Sequence, residues 1–263
     1  MKPFNEFPQT ARQEIRYILT DIDDTLTFRG RLPAIAYSAM ERLQEAGLKV
    51  IPVTGRPAGW CDHFARMWPI DGLVGENGAF YFHYDLKLRE MKRRYWRKKD
   101  NREKDKIKLK ELRMEILKEV PGCGISADQT FRETDLAIDF CEDVEPLPSS
   151  EVKKIVSLFE AAGATAKISS IHVNGWFGSY DKLKMTELLF KEIFNIDIAA
   201  AKNHILFSGD SPNDAPMFSF FPHSVGVANI FNYSGDLACE PAWYTKREGG
   251  YGFAEMTDAL LSR

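Results

Sequence analysis

The sequence lacks several features that mark particular classes of protein. Its four cysteines are widely separated and include no CxxC pair, which argues against a disulfide framework or a cysteine zinc site. They are Cys61, Cys123, Cys141 and Cys239. No apolar run approaches the ~18 residues of a membrane helix, and residues 1–16 have no apolar core of a signal peptide. We therefore expect a cytoplasmic protein with reduced thiols and no membrane partner.

An excess of charge of one sign is also missing. The net charge is only -3 over 263 residues, which is too small to indicate a polyanion or membrane partner for the whole molecule. The 44% of hydrophobic residues is ordinary for a globular protein with a core of normal size. The length allows one large domain or two smaller ones.

Carboxylates are concentrated at one point near the start of the chain. In "YILTDIDDT", residues Asp21, Asp23 and Asp24 follow directly after an apolar run at residues 17–19. Repulsion among such close carboxylates is costly unless a cation or a shared proton relieves it. The cluster indicates a metal site or acid–base chemistry, although a polar turn after a strand would have the same composition.

Strand and helix alternate at both ends of the chain. Near the beginning, the pattern predicts strands at 16–20, 48–54 and 71–82 and helices at 34–46 and 58–67. Near the end, it predicts helices at 182–194 and 214–218 and strands at 204–208 and 224–228. Short apolar runs are typical of strands buried on both faces. We predict an α/β fold with a doubly wound parallel sheet, whose ligands bind beyond the carboxyl ends of the strands.

The middle of the chain has a different pattern. Strand-like segments at 135–140 and 166–178 flank a predicted helix at 150–162. This composition indicates an α/β module inserted between two halves of one sheet domain. We predict a core of residues 1–85 and 181–263 and a cap of residues 86–180.

The start of the predicted cap is strongly basic. Residues 87–118 contain 15 Lys or Arg against 6 Asp or Glu. Tyr95 and Trp96 lie among these cations, a composition found in nucleic-acid-binding proteins. Acids at helical spacing would instead make the segment a solvated helix face, which could also attract an anionic substrate. We favour the helix face and expect no nucleic-acid partner.

Three further motifs place polar groups at predicted strand or helix ends. "IPVTGRP" offers the Thr54 hydroxyl and the Gly55 backbone N–H to an anion. "SYDKLKM" begins a helix with Lys182, whose ammonium could neutralise a phosphate. "ILFSGDSPNDAPMF" provides Asp210 and Asp214, oxygen ligands that suit Mg²⁺. Each motif alone could be an ordinary turn, helix cap or solvated lysine.

The ordered set "DIDDT", "VTGR", a lysine at a helix start and "GDSPND" resembles the haloacid dehalogenase superfamily of phosphatases. The four motifs span Asp21 to Asp214, nearly the whole chain. "GENGA" at residues 75–79 and the insert before the lysine make the chain similar to subfamily IIB. That group contains the Cof-type, sucrose-phosphate, mannosyl-3-phosphoglycerate and trehalose-phosphate phosphatases.

The resemblance implies catalytic roles for the matched residues. Asp21 would be the nucleophile and a ligand of Mg²⁺, and Asp23 the general acid/base whose backbone carbonyl also binds the metal. Thr54 would hold a phosphate oxygen, and Lys182 would contact both the phosphate and the nucleophile. Lys184 lies only two residues away, and we choose Lys182 because of its place at the helix start.

The resemblance also implies metal and substrate contacts. Asp210 would be the third protein ligand of Mg²⁺, with Asp214 at the same metal site. The candidate substrate-binding residues of the core are Gly55, Arg56, Asn77 and Asn213. Asp24 stands where many relatives have Gly, which leaves the geometry of this turn open.

Substrate recognition is expected from the segment "SSIHVNGWFGSYDK". In an extended segment alternate side chains share a face, so His172, Asn174 and Trp176 would lie together. They could present two hydrogen-bonding groups and an aromatic platform to a sugar. Alternatively, His172 and Trp176 pack under the cap sheet.

The sequence thus predicts a Mg²⁺-dependent phosphomonoesterase that forms an aspartyl-phosphate and acts on a small phosphorylated metabolite such as a sugar phosphate. A phosphomutase could use the same intermediate and differ only in the group that accepts the phosphoryl group. A nucleic-acid-binding protein with an inactive core would instead require salt-dependent binding through residues 92–110. The exact substrate and the oligomeric state are left open.

Overall fold

The computed structural model describes residues 1–169 and 171–262. Its strands are β1 (Lys2–Pro3), β2 (Tyr17–Thr20), β3 (Lys49–Pro52), β4 (Leu73–Gly75), β5 (Phe80–Asp85), β6 (Glu90–Tyr95), β7 (Gly124–Ile125), β8 (Asp135–Asp139), β9 (Thr165–Ile168), β10 (His172–Trp176), β11 (Ile205–Gly209), β12 (His223–Gly226) and β13 (Trp243–Tyr244). Its α-helices are α1 (Gln9–Glu14), α2 (Ala34–Glu45), α3 (Ala58–Met67), α4 (Lys99–Glu119), α5 (Ser149–Ala161), α6 (Lys182–Leu189), α7 (Ile198–Ala201), α8 (Ala215–Phe220) and α9 (Gly249–Leu261). Within these ranges, no helix is long and apolar enough to cross a membrane.

A parallel sheet lies at the centre of the fold, in the strand order β1–β13–β12–β11–β2–β3. Adjacent residues of β2 are buried on opposite faces of this sheet. Ile18 packs with side chains of α2 and α9, whereas Leu19 packs with side chains of α6 and α8. Helices therefore cover both faces, which explains why these strands do not alternate apolar and polar residues. The predicted doubly wound α/β fold is confirmed.

A second, antiparallel sheet lies above the carboxyl edge of the first, in the order β7–β8–β10–β9. Ile138 and Val173 on one face pack against α4 and α5. The other face carries His172, Asn174 and Trp176, which share it as the alternation predicted. Of the strand and turn predicted at 166–178, residue 170 lies outside the described residues. The inserted α/β cap expected from the sequence is confirmed.

An antiparallel sheet of β4, β5 and β6 joins the two parts. Phe80 and Phe82 of β5 pack with Trp176 and Tyr180, where the chain returns from the cap sheet. The predicted boundary at residue 85 falls in the turn between β5 and β6. The division into residues 1–85, 86–180 and 181–263 stays a prediction.

Part of the basic segment is a strand, so the expected continuous helix face is wrong for residues 90–95. These residues form β6, which pairs with β5, and α4 begins after them. Arg93 pairs with Asp62, and Arg94 Nε lies 3.3 Å from Glu192 Oε1. Both acids belong to the core rather than to the basic segment. The local excess of positive charge is thus partly compensated by distant residues.

The helix predicted at 182–194 is shorter than expected. Regular α-helix ends at Leu189, and Phe190–Phe194 form a wider π-helical turn. Asn195 then takes a left-handed conformation with φ of 56°. Asn tolerates this conformation and commonly ends helices in this way. The apolar periodicity continues through the turn, which is why the sequence pattern did not show the change.

Candidate active site

The residues predicted to carry the chemistry converge at the carboxyl edge of the parallel sheet. Asp21 follows β2, Asp210 follows β11 and Lys182 begins α6. They face a pocket between this edge and the cap sheet. The predicted site residues that line it are Asp21, Asp23, Gly55, Arg56, Asn77, His172, Asn174, Lys182, Asp210 and Asn213. Thr54 and Asp214 are fully buried directly behind the pocket wall.

A cluster of three buried carboxylates forms the floor of the site. Asp21, Asp210 and Asp214 each offer an oxygen, and these oxygens all lie within 4.8 Å of one another. Burial raises the pKa of Asp21 to about 7; Lys182 opposes this rise, and the neighbouring carboxylates of Asp214 and Asp23 add to it. The possible ligand atoms are all carboxylate oxygens and together carry an excess of negative charge, so they fit a hard divalent cation such as Mg²⁺.

Lys182 supplies the positive charge of the site. Its Nζ donates to Asp21 Oδ1 at 2.8 Å and to Asp214 Oδ1 at 3.0 Å. These two carboxylates raise the pKa of Lys182 despite its burial, so the ammonium stays protonated. Lys184 instead donates from Nζ to the carbonyl of Ser179 at 3.0 Å and is exposed. The structure thus brings Lys182, and not Lys184, to the carboxylates.

Asp214 and Asp210 have different surroundings within the cluster. Asp214 Oδ2 accepts from the backbone N–H of Asp210 at 3.1 Å and of Ser211 at 3.4 Å, in a capping box. Asp210 accepts from Thr25 Oγ1 at 3.2 Å and from Asn229 Nδ2 at 3.0 Å. Asp214 therefore holds the lysine and the backbone of its loop, whereas Asp210 keeps lone pairs for a cation.

Asp23 is held by a bidentate contact with Arg56. The guanidinium donates to both carboxylate oxygens at 2.6 to 2.9 Å. The guanidinium carbon also lies 4.8 Å from the centre of the Trp60 ring. Arg56 must release an oxygen of Asp23 before that oxygen can take part in proton transfer.

The turn that contains Asp24 adopts the geometry usually reserved for glycine. Asp24 has φ of 54°, a left-handed conformation that Asp tolerates better than most residues. Its carbonyl oxygen accepts from Asn229 Nδ2 at 2.9 Å. The departure from the family's usual glycine therefore leaves the turn intact.

The cap contributes two polar side chains of the predicted set. His172 Nε2 lies 2.8 Å from Glu142 Oε2. Burial, together with the positive charge of Arg132, lowers the pKa of His172 to about 4, so its ring is neutral near pH 7. Asn174 Nδ2 donates to Asp135 Oδ2 at 3.1 Å. Both side chains line the pocket and can offer neutral hydrogen-bonding groups to a ligand.

Trp176 does not share this position, although it lies on the same face of β10. Its side chain is 2% exposed and stacks on Tyr180 with ring centres 5.7 Å apart. The indole therefore packs between the cap sheet and the core. The aromatic platform considered for this residue is not part of the pocket wall.

Sequence reasoning missed Arg132, a buried cap residue in the pocket wall. Its Nε and Nη2 donate to Asp128 at 2.7 and 3.0 Å, and its Nη1 donates to the Gly55 carbonyl at 3.0 Å. In the segment "FRETD" this arginine is one charged residue among several. No local signal separates it from an exposed side chain.

The fold and the site together define an α/β protein with a cap over a carboxylate and lysine centre. Residues 18–114 match the model of a family described as haloacid dehalogenase-like hydrolases. Over this segment the chain is similar to haloacid dehalogenase-like hydrolases, in agreement with the family and the enzyme class expected from the four motifs. No match is found among curated proteins.

Solved structures with this fold cover almost the whole chain. The Thermoplasma acidophilum protein 0175 has 19% identity and a TM-score of 0.69, over 94% of this chain and 98% of that one. A HAD/COF-like hydrolase from Plasmodium vivax has 18% identity and a TM-score of 0.67, over 96% and 98%. The sucrose-phosphatase of Synechocystis, solved with sucrose and phosphate, has 15% identity and a TM-score of 0.60, over 94% and 99%. At these identities the likeness shows a shared fold, cap included.

Proposed function

We propose that the protein is a Mg²⁺-dependent phosphomonoesterase that acts on a small phosphorylated metabolite, in particular a sugar phosphate. The observation that carries the proposal is the buried Asp21 carboxylate, which contacts Lys182 and lies beside two further carboxylates at the pocket floor. The sucrose-phosphatase among the structural neighbours supports the substrate class. We also propose a cytoplasmic location, because the four cysteines are widely separated in the sequence and include no CxxC pair.

In the first step, an Asp21 oxygen forms a bond to phosphorus while the bond from phosphorus to the leaving oxygen breaks. Lys182 balances the charge of the carboxylate and of the phosphate. Asp23, released by Arg56, donates a proton to the leaving oxygen. In the second step, Asp23 takes a proton from water, which attacks phosphorus, releases inorganic phosphate and regenerates Asp21.

The remaining core residues bind and orient the phosphate. Thr54 and Gly55 would hold a phosphate oxygen at the end of β3, and Asn213 lies on the opposite side of the pocket. Asp21, Asp210 and the backbone carbonyl of Asp23 would hold Mg²⁺. When bound, Mg²⁺ supplies charge neutralisation for the phosphate oxygens.

A panel of phosphorylated metabolites, assayed for released phosphate with Mg²⁺ present, tests the proposal. Release of inorganic phosphate would identify a phosphatase, whereas an isomerised sugar phosphate would identify a phosphomutase. Salt-dependent nucleic-acid binding through residues 92–110, with no turnover of any phosphate ester, would overturn the proposal. We propose that neither nucleic acid nor a membrane is a partner.

Removal of metal is expected to stop phosphate release, and Mg²⁺ is expected to restore it after EDTA treatment. Asp210→Asn should weaken the apparent Mg²⁺ affinity by about tenfold or more, because ligand charge sets the affinity of such sites. A titration of activity against free Mg²⁺ measures the shift. Asp236→Asn, the same change at an exposed carboxylate, is the matched control. An unchanged titration in Asp210→Asn would place the metal elsewhere.

Substrate recognition by the cap is expected to depend on His172 and Asn174. Loss of a hydrogen bond to the sugar should raise KM for the sugar phosphate by about tenfold in His172→Ala and in Asn174→Ala. Hydrolysis of nitrophenyl phosphate should stay nearly unchanged, because the phosphate chemistry lies in the core. His63→Ala, at an exposed histidine of α3, is the control. Equal losses of kcat/KM on both substrates, together with a lower melting temperature of the variants, would show that these residues only hold the cap together.

A further inference from the structure

A three-residue turn in the "GENGA" motif has an unusual backbone. Glu76, Asn77 and Gly78 all have positive φ, at 41°, 56° and 104°. Asn and Gly tolerate this conformation, but for Glu it costs energy and persists only where the surroundings enforce it. Such strain is often found at functional sites. We call Glu76–Gly78 the GENGA turn.

The backbone of the GENGA turn is bonded to the phosphate-binding loop after β3. The Asn77 N–H donates to the Thr54 carbonyl at 3.1 Å, and the Glu76 N–H donates to the Arg56 carbonyl at 3.1 Å. These bonds fix the carbonyl groups of Thr54 and Arg56, the residues on either side of Gly55. The turn and the loop must therefore move together.

The same turn packs against the start of α6. A Cβ on Gly78 would lie 2.1 Å from the carbonyl oxygen of Asp181, so only glycine permits this approach. Asp181 caps the helix whose first residue is Lys182. The position of the catalytic lysine is thus linked to the GENGA turn.

Asn77 carries an unused hydrogen-bond donor at the pocket. Its side chain is 5% exposed and lines the pocket wall, and its Nδ2 has no hydrogen-bond partner among the described residues. A buried amide without a partner is costly, so the group is expected to meet an acceptor on a ligand. A phosphate or sugar oxygen is such an acceptor. The GENGA turn holds this donor in place.

The Glu76 carboxylate points away from the pocket and connects the core to the cap. Oε1 accepts from the backbone N–H of Ala58 at 2.9 Å and of Glu133 at 2.9 Å. Oε2 accepts from the backbone N–H of Thr134 at 2.6 Å and also from the Thr134 hydroxyl. Glu76 is fully buried, and three of these four donors come from the cap. If the cap moved away, this carboxylate would lose most of its hydrogen bonds.

The cap residues that meet Glu76 belong to a loop that also reaches the pocket. We call residues 132–135 the cap loop. Arg132 donates to the Gly55 carbonyl, and Asp135 accepts from Asn174. The loop therefore contacts Gly55 in the core wall of the pocket and Asn174 in its cap wall.

We propose that Glu76 is a positioning residue that couples docking of the cap loop to the arrangement of the phosphate-binding residues. The proposal rests on the proposed phosphatase function. When the loop is docked, its donors satisfy Glu76 and support the strained turn, which holds Asn77 Nδ2 in the pocket. When the loop is undocked, the turn loses this support. Apparent substrate affinity then depends on the fraction of molecules with a docked loop.

Glu76→Gln tests the coupling with an isosteric change. The amide replaces an acceptor by a donor that faces other donors, so the docked fraction should fall. We expect KM for the sugar phosphate to rise by about tenfold, while kcat stays within about twofold because saturating substrate restores docking. Thr134→Val removes only the hydroxyl donor and should raise KM in the same direction by a smaller factor. In the double variant, Thr134→Val should add little to the rise in KM that Glu76→Gln causes alone.

Amide hydrogen exchange provides a readout that needs no turnover. In Glu76→Gln, the Glu133 and Thr134 amides should exchange faster by about tenfold or more, because their acceptor is weakened. The amide of Val173, inside the cap sheet, should keep its rate. If the wild-type protein releases no phosphate, the proposed function fails, yet exchange still tests the coupling. Glu255→Gln is the matched control, since Glu255 also accepts backbone N–H bonds, from Lys246 and Arg247.

Two results would overturn the proposal. Unchanged KM and unchanged exchange in both Glu76→Gln and Thr134→Val would show that docking does not depend on this carboxylate. Faster exchange throughout the cap and core, with a lower melting temperature and equal losses in kcat on all substrates, would show that Glu76 only stabilises the fold.

Discussion

Asp21→Asn is expected to abolish phosphate release while the fold stays intact. An amide is a poor nucleophile, so no phosphoryl-enzyme should form. The residual rate should be below about a hundredth of the wild-type rate, a loss of more than ~2.7 kcal/mol. Asp21 is buried beside Asp210 and Asp214, and its pKa is raised mainly by burial. Replacing it by a neutral group of the same shape removes repulsion, so the melting temperature should not fall.

Single-turnover experiments with labelled substrate measure this expectation directly. The wild-type protein should carry the label transiently, and Asp21→Asn should not. Asp236→Asn, an exposed aspartate, should keep normal turnover. A rate in Asp21→Asn above about a hundredth of wild type would exclude covalent catalysis by this residue.

The position of the candidate catalytic residues could be predicted because it depends on strand order and local pattern. The runs that became β2 and β11 are apolar and are followed at once by Asp21 and Asp210. In a parallel sheet the carboxyl ends of neighbouring strands meet, and β2 and β11 are neighbours. The sequence also shows Lys182 at a helix start, where Asp181 caps the helix. These features need no knowledge of distant contacts.

The supporting residues could not be predicted because their partners are far away in sequence. Arg132 bonds to Gly55, and Asn229 bonds to Asp210 and to the Asp24 carbonyl. Neither has a pattern that separates it from ordinary polar surface residues. Glu76 does belong to a quoted motif, but the motif does not show that its carboxylate meets the cap. Only the fold shows which polar side chains become buried and paired.

In the basic segment, a prediction from the local sequence is partly wrong. Neighbours in sequence alone predict a solvated helix face for its cations. Arg93 pairs with Asp62 and Arg94 with Glu192, both outside the segment. Cross-strand and core contacts therefore decide its structure. In the second half of the segment, where α4 forms, the helical spacing of the acids correctly predicts a helix.

Lys182→Met is expected to impair catalysis far more than Lys184→Met. Lys182 Nζ is buried between Asp21 Oδ1 and Asp214 Oδ1, at 2.8 and 3.0 Å. Methionine has a similar length but no charge, so both carboxylates lose their counter-ion and the phosphate loses a positive group. We expect kcat/KM to fall by about 10³-fold, as for other groups that stabilise charge in a transition state.

The same substitution should lower the melting temperature, because it leaves two buried carboxylates unpaired. Activity must therefore be measured well below the transition, with the folded fraction confirmed by circular dichroism. Among the described residues Lys184 is exposed and pairs with Asp181 and the Ser179 carbonyl, so Lys184→Met should change kcat/KM by less than about twofold. Since the two lysines share a helix and lie two residues apart, they differ mainly in their access to Asp21. The reverse ranking would show that the phosphate site uses Lys184 and that α6 turns differently when substrate is bound.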